Sequence, residues 1–287
     1  MFLANFVTHT PLMKKIVQVG NIAAGSPQLF LISGPCVIED YDVMQATAEK
    51  LKRVSERLQI PVIYKSSFIK DNRSSLDYYY GPGLDEGLKL LQRIKQDYGF
   101  PILSDIHSWD QASPAAEVLD IIQIPAYLCM QTSLVVAAAK TGKVVNLKHG
   151  QFLAPENMAK PLQKCIDSGN DQVILTERGY TFGYNDLIVD PRSIYQMAET
   201  GYPVVFDVTH AIRKYGIPSK DPAGGARQYL PVLSRAGVAS GIDGLFIETH
   251  PNPAEAKCDA ASQLCVDDLE EFLKPLLELH AVVNKYR

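Results

Sequence analysis

The sequence repeats one unit along most of its length: a short apolar run that ends in polar residues, followed by a longer segment with helical periodicity. Eight such runs can be read, namely Leu29–Cys36, Pro61–Phe68, Pro101–His107, Ile121–Tyr127, Val144–Gly150, Gln172–Gly179, Pro203–His210 and Gly244–His250. Continuous apolar strands that alternate with helices are typical of a parallel sheet covered on both faces. Eight βα units within about 250 residues therefore predict a closed (β/α)8 TIM barrel.

The segments between the runs carry the apolar spacing of amphipathic helices. In Asp42–Leu58 the residues near one face are Val43, Ala46, Leu51, Val54 and Leu58. In Gly87–Tyr98 they are Leu88, Leu91 and Ile94. Before the first unit, Val17–Ala24 predicts a small cap or hairpin at the bottom of the barrel.

A doubly wound sheet is the alternative fold. It would be favoured by a GxGxxG turn after the first strand, but the chain reads Ser33-Gly34-Pro35-Cys36 there. A chain of 287 residues is either two ordinary domains or one barrel. Because no linker, low-complexity tract or charge block divides it, we expect a single barrel domain over residues 1–287. Met13 is a second plausible start, so residues 1–12 are expected to be a short N-terminal extension.

Composition excludes several classes of protein. The net charge is −4, so no general nucleic-acid or membrane surface is expected, and any cationic site must be local. No apolar run is long enough to span a bilayer, and the N-terminus lacks the pattern of a signal peptide. The five cysteines are scattered and form no CxxC pair, which predicts a reducing, cytoplasmic location.

The chemistry of a TIM barrel lies at the carboxyl ends of its strands. Here the polar residues at those ends are Cys36, Lys65, Ser67, Asp105, His107, Gln123, Lys148, Glu177, Arg178, Asp207, His210, Glu248 and His250. Charged groups beside an apolar core are unfavourable unless they are paired, and a purely structural barrel would not need them at every strand. Their number predicts an active site at this end of the barrel.

One group of these residues suggests a metal site. The seventh, eighth and first strands are neighbours in a closed barrel and end near His210, Glu248 and Cys36, while Cys258 and Asp259 follow shortly after. A thiolate, an imidazole and carboxylates suit zinc, iron, manganese or cobalt. Cys258 and Asp259 compete as ligands, and spacing does not rank them. The structural alternatives are that Cys36 is a small hydrophobic residue packed in the core, and that His210 is a core histidine hydrogen-bonded to a neighbour.

A second group is cationic. The run that ends near Lys65 is followed by Lys70 and Arg73, with serines and an Asn between them, and later units add Lys148 and Arg178. Arg offers a planar fork for phosphate, and Lys offers a movable point charge. The alternative is a solvated basic loop. Together the five cations could hold two anionic groups, such as two phosphates or a phosphate and a carboxylate.

These residues belong to longer motifs that resemble one known family. The motifs are Gly34-Pro35-Cys36, Lys65-Ser66-Ser67-Phe68, Lys70-Asp71-Asn72-Arg73-Ser74-Ser75, Gly81-Pro82-Gly83, Gln123-Ile124-Pro125-Ala126, Gly150-Gln151-Phe152-Leu153-Ala154-Pro155, Thr176-Glu177-Arg178-Gly179, Phe182-Gly183-Tyr184-Asn185, Phe206-Asp207-Val208-Thr209-His210 and Glu248-Thr249-His250-Pro251. From Met13 onward the chain resembles the 3-deoxy-D-manno-octulosonate 8-phosphate synthase family. The Asn72-Arg73-Ser74 form separates it from the sister 3-deoxy-D-arabino-heptulosonate 7-phosphate synthases.

The resemblance implies a transferase that condenses phosphoenolpyruvate with D-arabinose 5-phosphate and water and releases inorganic phosphate. The product feeds the inner core of bacterial lipopolysaccharide. Members are usually cytosolic homotetramers of (β/α)8 barrels. A metal-dependent branch has Cys at the end of the first strand, and Cys36 places this chain there.

The resemblance also assigns roles to residues. The implied metal ligands are Cys36, His210, Glu248 and Asp259, which favours Asp259 over Cys258. The implied phosphoenolpyruvate-binding residues are Lys65, Ser67, Lys70, Gln123, Lys148 and Arg178. The implied aldose-phosphate-binding residues are Asn72, Arg73 and Ser74. Our candidate catalytic residues are Cys36, Lys70, Asp105 and His210, with Asp105 and His210 assigned to proton handling.

The chain departs from the family pattern in the sugar-phosphate region. Met130 stands where the family usually has an Arg that reaches the aldose phosphate of a neighbouring subunit, and Ser133 replaces an Asp nearby. Tyr80 and His149 also replace basic residues. Two other functions remain as alternatives: a Schiff-base aldolase that uses Lys65 or Lys148, and a sugar-phosphate-binding protein without turnover.

Overall fold

A computed structural model of the chain describes residues 14–73, 75–181, 186–218 and 221–286. The strands in these residues are β1 (Val17–Val19), β2 (Ile22–Ala24), β3 (Phe30–Gly34), β4 (Val62–Lys65), β5 (Ile102–Asp105), β6 (Ile121–Ile124), β7 (Val144–Lys148), β8 (Val173–Glu177), β9 (Tyr180–Thr181), β10 (Leu187–Ile188), β11 (Val204–Asp207), β12 (Gly244–His250) and β13 (Leu264–Cys265). The α-helices are α1 (Tyr41–Leu58), α2 (Leu84–Tyr98), α3 (Ala112–Val118), α4 (Thr132–Lys140), α5 (Ala159–Asp167), α6 (Pro191–Ala198), α7 (Val208–Ala211), α8 (Leu230–Ala239) and α9 (Leu269–Val283).

The parallel strands close into a barrel. Their order in the described chain is β11-β8-β7-β6-β5-β4-β3-β12, and β11 pairs with β12 to complete the ring. Closure confirms the predicted (β/α)8 barrel and excludes the doubly wound sheet, whose edges stay open. The register places Glu248 opposite Gly34 and Asp105 opposite Gln123, so the carboxyl ends of neighbouring strands lie side by side.

The N-terminal hairpin of β1 and β2 plugs the bottom of the barrel, as predicted. Its residues Val17 and Ile22 belong to the same buried cluster as Phe30 and Phe246, which point into the barrel. Lys14 Nζ lies 2.8 Å from both carboxylate oxygens of Asp243, just before β12 begins. Because the hairpin fills the amino-terminal end, a site can open only at the opposite end.

The helices cover the outside of the barrel with one apolar face each. α1 begins where the Asp40 carboxylate accepts a hydrogen bond from Val43 N at 2.9 Å, a typical N-cap. Its buried residues are Met44, Thr47, Ala48, Leu51 and Val54. Of the predicted face, Val43, Ala46 and Leu58 lie only half-buried at its margin. The face predicted for α2 is buried as expected: Leu88, Leu91 and Ile94.

The apolar runs are longer than the strands they contain. The run Pro61–Phe68 contains a strand that ends at Lys65, and the run Pro203–His210 changes to helix after Asp207. The Asp207 carboxylate causes this change, because it accepts a hydrogen bond from His210 N at 3.0 Å and caps α7. His210 therefore lies on a short helix rather than at a strand end.

Some sequence features lie outside the described residues. They are the expected N-terminal extension of residues 1–12, Ser74, and the motif Phe182-Gly183-Tyr184-Asn185. Among the described helices, none combines the length and apolar character that a membrane span requires.

Candidate active site

A cavity of about 290 Å³ opens at the carboxyl ends of the strands. It is lined by Lys70, Asn72, Arg73, Tyr78, Tyr127, Arg178, His210, Arg213, Lys214, Tyr215, Gly216, Ile217, Pro218, Cys258 and Asp259. Five of these residues are Lys or Arg, and one is a carboxylate. An excess of positive charge in a concave site favours anionic ligands.

Two layers of this site can be distinguished by burial. We call the buried strand-end residues beside the cavity the floor: Lys65, Ser67, Asp105, Gln123, Lys148, Asp207 and Glu248. Each floor residue is at most 5% exposed. We call the half-buried or exposed loop residues the rim: Asn72, Arg73, Tyr78, Lys214 and Tyr215.

Lys65 occupies the floor between three neighbouring strands. Its Nζ lies 2.5 Å from Glu248 Oε1 on β12 and 2.8 Å from the carbonyl oxygen of Cys36. Both charged side chains are at most 1% exposed. A buried ion pair is stable only when its geometry is good, because the attraction between the two charges must offset the free energy lost when each leaves water.

Asp207 holds a second buried cluster together. Its Oδ2 accepts hydrogen bonds from Lys148 Nζ and, at 2.7 Å, from His210 Nδ1. Burial alone would raise the pKa of Asp207, but the positive charges of His210 and Lys148 hold that pKa well below its usual range. Burial alone would lower the pKa of His210, and the Asp207 carboxylate reverses this and raises it to about 10. Asp207 thereby orients His210, whose Nε2 faces the metal-ligand candidates.

Asp105 organises the third part of the floor. Its carboxylate accepts hydrogen bonds from Ser67 Oγ at 2.6 Å and from Gln123 Nε2, and Lys70 Nζ lies 3.4 Å away. Burial would raise the pKa of Asp105, yet the charges of Lys70 and Lys65 hold it well below its usual range. Asp105 is therefore ionised, and it fixes the side chains around it.

Arg178 enters the cavity from the end of β8. The preceding residue, Glu177, accepts hydrogen bonds from Arg178 N at 2.8 Å and Gly179 N at 2.5 Å, which fixes the backbone. His149 lies beside the same carboxylate, with Nδ1 3.2 Å from Glu177 Oε2. The Arg178 guanidinium donates to the Tyr215 hydroxyl at 3.2 Å. Glu177 and His149 thus support Arg178 without lining the cavity.

The four implied metal ligands converge at one side of the cavity. His210 Nε2 lies 3.6 Å from Glu248 Oε2 and 3.6 Å from Asp259 Oδ2. Cys36 Sγ lies 3.3 Å from the same Asp259 oxygen. A further thiol, that of Cys258, lies 2.8 Å from Cys36 Sγ.

The donor set fits a divalent cation. Two groups of side chains each bring their donor atoms within 4.8 Å of one another. One group is formed by Cys36, Cys258 and Asp259, and the other by His210, Glu248 and Asp259. Glu248 Oε2 is buried without a hydrogen-bond partner, which is unfavourable unless a ligand satisfies it. Thiolate, imidazole and carboxylate together are typical of zinc or another first-row transition metal.

The rim contains the residues implied for the sugar phosphate. Asn72 and Arg73 line the outer part of the cavity, and Arg73 Nε donates to the carbonyl oxygen of Tyr79 at 3.0 Å. Ser74, the third predicted residue, lies outside the described residues. Both described residues follow Lys70 on the loop after β4, as the motif requires.

Comparison with known proteins identifies the family. The model of the DAHP synthetase I family matches residues 10–285. The chain belongs to the DAHP synthetase I family. Its relatives include proteins of Trichlorobacter lovleyi, 50% identical over 95% of this chain and the whole of the relative, and Geotalea daltonii, 49% identical over the same shares. A third, from Syntrophotalea carbinolica, is 50% identical over 95% of this chain and 98% of the relative. All three are named 2-dehydro-3-deoxyphosphooctonate aldolase.

The structure separates the predicted binding residues of this family member into two sets. Lys70 and Arg178 line the cavity. The remaining residues implied for phosphoenolpyruvate belong to the floor and contact other floor side chains: Lys65, Ser67, Gln123 and Lys148. Of the predicted catalytic residues, His210 lines the cavity, whereas Cys36 and Asp105 lie beneath it.

The cavity also contains residues that the sequence analysis missed. Arg213, Lys214 and Tyr215 follow His210 on the loop after α7, and Tyr127 follows β6. Arg213 Nη1 lies 3.1 Å from Asp259 Oδ1. The adjacent Arg-Lys pair was visible in the sequence, but it belongs to none of the motifs on which the sequence analysis relied.

Tyr215 connects the rim to Arg178. Its hydroxyl accepts hydrogen bonds from Gln151 Nε2 at 2.5 Å and from Arg178 Nη1. Burial alone would raise the pKa of Tyr215, but the Arg178 charge lowers it below the ordinary value. The loop after α7 is thereby held against the strand-end residues.

The departures from the family pattern lie in different places. Met130 is half-buried outside the cavity lining, and its carbonyl oxygen accepts a hydrogen bond from Lys164 Nζ at 2.7 Å. Tyr80 is 55% exposed and likewise outside the lining. His149 is fully buried beside Glu177. None of the three therefore lines the cavity that the described residues form.

Proposed function

We propose that this chain is a 3-deoxy-D-manno-octulosonate 8-phosphate synthase. It would condense phosphoenolpyruvate with D-arabinose 5-phosphate and water to give 3-deoxy-D-manno-octulosonate 8-phosphate and inorganic phosphate. The observation that carries the proposal is full-length identity of about half to relatives named 2-dehydro-3-deoxyphosphooctonate aldolase. The cationic cavity supports it, since both substrates are phosphorylated anions.

In this proposal the floor and the inner lining bind phosphoenolpyruvate. The residues are Lys65, Ser67, Lys70, Gln123, Lys148 and Arg178. Positive charges held in place before the substrate arrives stabilise anionic groups without reorganisation. Fixing phosphoenolpyruvate against the aldehyde also makes the condensation effectively unimolecular.

The bonds change as follows. C3 of phosphoenolpyruvate attacks the aldehyde carbon of the sugar, and water adds at C2. Cleavage of the C–O bond then releases phosphate. Asp105 is ionised and contacts Lys70, so we assign it to orienting that lysine, and through this contact it would take part in proton handling. His210 Nδ1 contacts Asp207, which leaves Nε2 directed at the reacting region.

We propose that Cys36, His210, Glu248 and Asp259 hold a divalent ion, one of zinc, iron, manganese or cobalt. Such an ion would supply Lewis-acid activation of water or of the aldehyde. The convergence of these four side chains and the orphaned Glu248 oxygen support the assignment. It corresponds to the metal-dependent branch of the family.

The rim would bind the sugar phosphate through Asn72, Arg73 and Ser74. The product would enter the inner core of lipopolysaccharide, which fits a cytoplasmic enzyme. We further propose a homotetramer, and we expect no nucleic-acid or membrane partner. These cellular statements rest on the resemblance and on the low net charge.

The test is release of inorganic phosphate from phosphoenolpyruvate, run in parallel with arabinose 5-phosphate and erythrose 4-phosphate. We expect the higher kcat/KM with arabinose 5-phosphate. A preference for erythrose 4-phosphate would overturn the assignment of the acceptor. Borohydride treatment with substrate would trap a Schiff base on Lys65 or Lys148 if the enzyme were a lysine-dependent aldolase, and we expect no trapped adduct.

A further inference from the structure

The metal-ligand candidates include a thiol that the family pattern does not assign. Cys258 lines the cavity, is 1% exposed and lies 2.8 Å from Cys36 through the two sulfur atoms. With Cys36 and Asp259 it forms one of the two groups whose donor atoms lie within 4.8 Å. Because Asp259 also belongs to the second group, the two groups are parts of one centre.

We propose that Cys258 is a second thiolate ligand of the metal centre, so that the bound ion has two sulfur donors. This inference rests on the metal dependence proposed above. A centre with two thiolates favours softer ions such as zinc over manganese, since thiolates select soft and borderline metals.

The backbone brings Cys258 and its neighbour to the same point. Successive side chains of an extended chain point in opposite directions, so adjacent residues rarely bind one ion together. Asp259 has a φ of 49°, in the left-handed region that non-glycine residues seldom adopt. This turn lets the Cys258 sulfur and the Asp259 carboxylate face the same donors.

A buried amide holds the two cysteine backbones together. Gln263 is 1% exposed; its Nε2 donates to the carbonyl oxygen of Cys258 at 2.8 Å, and its Oε1 accepts from Cys36 N at 3.2 Å. The two thiols therefore converge through a specific bridge between the loop after β3 and the loop after β12. A bridge of this kind keeps metal ligands in position before the ion binds.

One donor atom of the centre lacks a partner, which also supports a bound cation. Glu248 Oε2 is buried, lacks a hydrogen-bond partner and lies 3.6 Å from His210 Nε2. Asp259 contacts both His210 and Cys36. A cation among these atoms would satisfy the oxygen and join the nitrogen, oxygen and sulfur donors in one shell.

The experiment counts thiolates by spectroscopy, independently of turnover. Metal-stripped full-length protein is titrated with Co²⁺ alone under anaerobic conditions, with a phosphine reductant that keeps the thiols reduced. The intensity of sulfur-to-cobalt charge-transfer absorption grows with the number of thiolate ligands. We expect Cys258→Ser and Cys36→Ser each to retain about half of the wild-type intensity, and the double variant to retain none.

The matched control is Cys265→Ser, a half-buried cysteine on β13 whose sulfur lies near the Pro251 carbonyl oxygen, 3.6 Å away. It should keep the full band. Cys258→Ala serves as a second variant. X-ray absorption fine structure at the zinc edge of the wild-type protein counts sulfur neighbours at about 2.3 Å without any mutation. Two sulfur neighbours support the inference, and one sulfur neighbour overturns it.

A competition assay with a chelator gives a second readout. Cys258→Ser should lower zinc affinity by at least about tenfold, since even the loss of a residue that only hydrogen-bonds to a metal ligand can lower affinity about 10–100-fold. Manganese affinity should fall less, because manganese prefers oxygen ligands to thiolates. An unchanged cobalt band in Cys258→Ser would overturn the inference while leaving the proposed function intact. Absence of any cobalt binding to wild type would overturn the metal dependence as well. A two-thiolate band in a protein without synthase turnover would overturn only the proposed function.

Discussion

The floor and the rim of the cavity differ in burial, in pairing and in origin. Floor residues come from strand ends, are at most 5% exposed and include direct pairs such as Lys65 with Glu248 and Lys148 with Asp207. Rim residues come from the loops after β4 and α7 and are half-buried or exposed. The difference indicates that the floor is a preorganised electrostatic field. The rim consists of loop residues, which in the proposed function would contact the acceptor.

The comparison also separates two kinds of consequence. A change in the floor removes a partner from a buried charge and should reduce both stability and turnover. A change in the rim should alter acceptor binding and leave the free energy of unfolding nearly unchanged. The predictions below test that separation.

The largest effect should follow removal of the divalent metal that we propose Cys36, His210, Glu248 and Asp259 hold. We expect exhaustive chelation to abolish turnover and an added divalent ion to restore it. Cys36→Ala should lower kcat by at least about 100-fold. Loss of a residue that only hydrogen-bonds to a metal ligand already costs about 10–100-fold in activity, and loss of a ligand itself should cost at least as much.

Cys36→Asn is the sharper variant of this test. Asn is a weak ligand for such ions but can donate and accept hydrogen bonds, so we expect low activity that chelators no longer change. Full wild-type activity after chelation, with no metal found by elemental analysis, would show that Cys36 is a packing residue.

In the metal-free protein, Lys65→Met should lower the free energy of unfolding by about 3–5 kcal/mol, because Glu248 would remain buried and charged without its partner. The measurement is urea unfolding at neutral pH. The matched change in the rim, Lys214→Met, should stay within about 0.5 kcal/mol of wild type. Equal losses for the two variants would remove the distinction between floor and rim.

Asp105 gives the floor a specific pH dependence. Its folded-state pKa lies below the unfolded value, so its stabilising contribution is present above about pH 4 and is lost as the pH falls below that value. A comparable salt-bridged Asp contributes about 2.6 kcal/mol at neutral pH. We expect Asp105→Asn to be less stable than wild type at pH 7.

The difference between Asp105→Asn and wild type should shrink as the pH falls from 7 to 3, measured by urea unfolding of metal-free protein. A difference that stays constant over this range would mean that lost packing, rather than lost charge, causes the destabilisation.

Lys214 tests the rim during turnover. Lys214 lines the cavity on the same loop as Tyr215. A charge-assisted hydrogen bond to a phosphate contributes about 1.5–3 kcal/mol. Lys214→Met should therefore raise KM for the aldose phosphate by about tenfold or more, with little change in kcat or in KM for phosphoenolpyruvate. The exposed Lys160 on α5 supplies the control, and Lys160→Met should change none of these constants. A larger effect on phosphoenolpyruvate would assign Lys214 to the other substrate.

The smallest effect should come from Met130→Arg. Met130 does not line the cavity, so in the proposed homotetramer a restored guanidinium would act across a subunit interface. An exposed ion pair contributes up to about 1 kcal/mol, and we expect KM for the aldose phosphate to fall by at most about fivefold. If that KM stays constant, or rises, another group already fills this role. If the proposed homotetramer forms, repeating the assay at dilutions that dissociate it should remove the gain in sugar-phosphate binding.

Local pattern was sufficient to predict much of this protein. The alternation of apolar runs with helical segments indicated the barrel, because each element needs only its own few residues to define its periodicity. The position of Lys65 or Lys148 at a strand end followed from the same pattern. The hairpin plug of Val17–Ala24 was also readable, since its apolar residues precede the first βα unit.

Only the tertiary structure decided which charges meet. Lys65 and Glu248 are 183 positions apart in the chain, and Lys148 and Asp207 are 59 apart. Their pairing depends on closure of the barrel, which no local window of sequence describes. The same closure places Cys258 against Cys36, 222 positions away, and aligns the loop after α7 with the cavity. The sequence by itself determined which side chains stand at the strand ends, whereas the folded chain determined their partners, because burial and charge pairing act between residues distant in sequence.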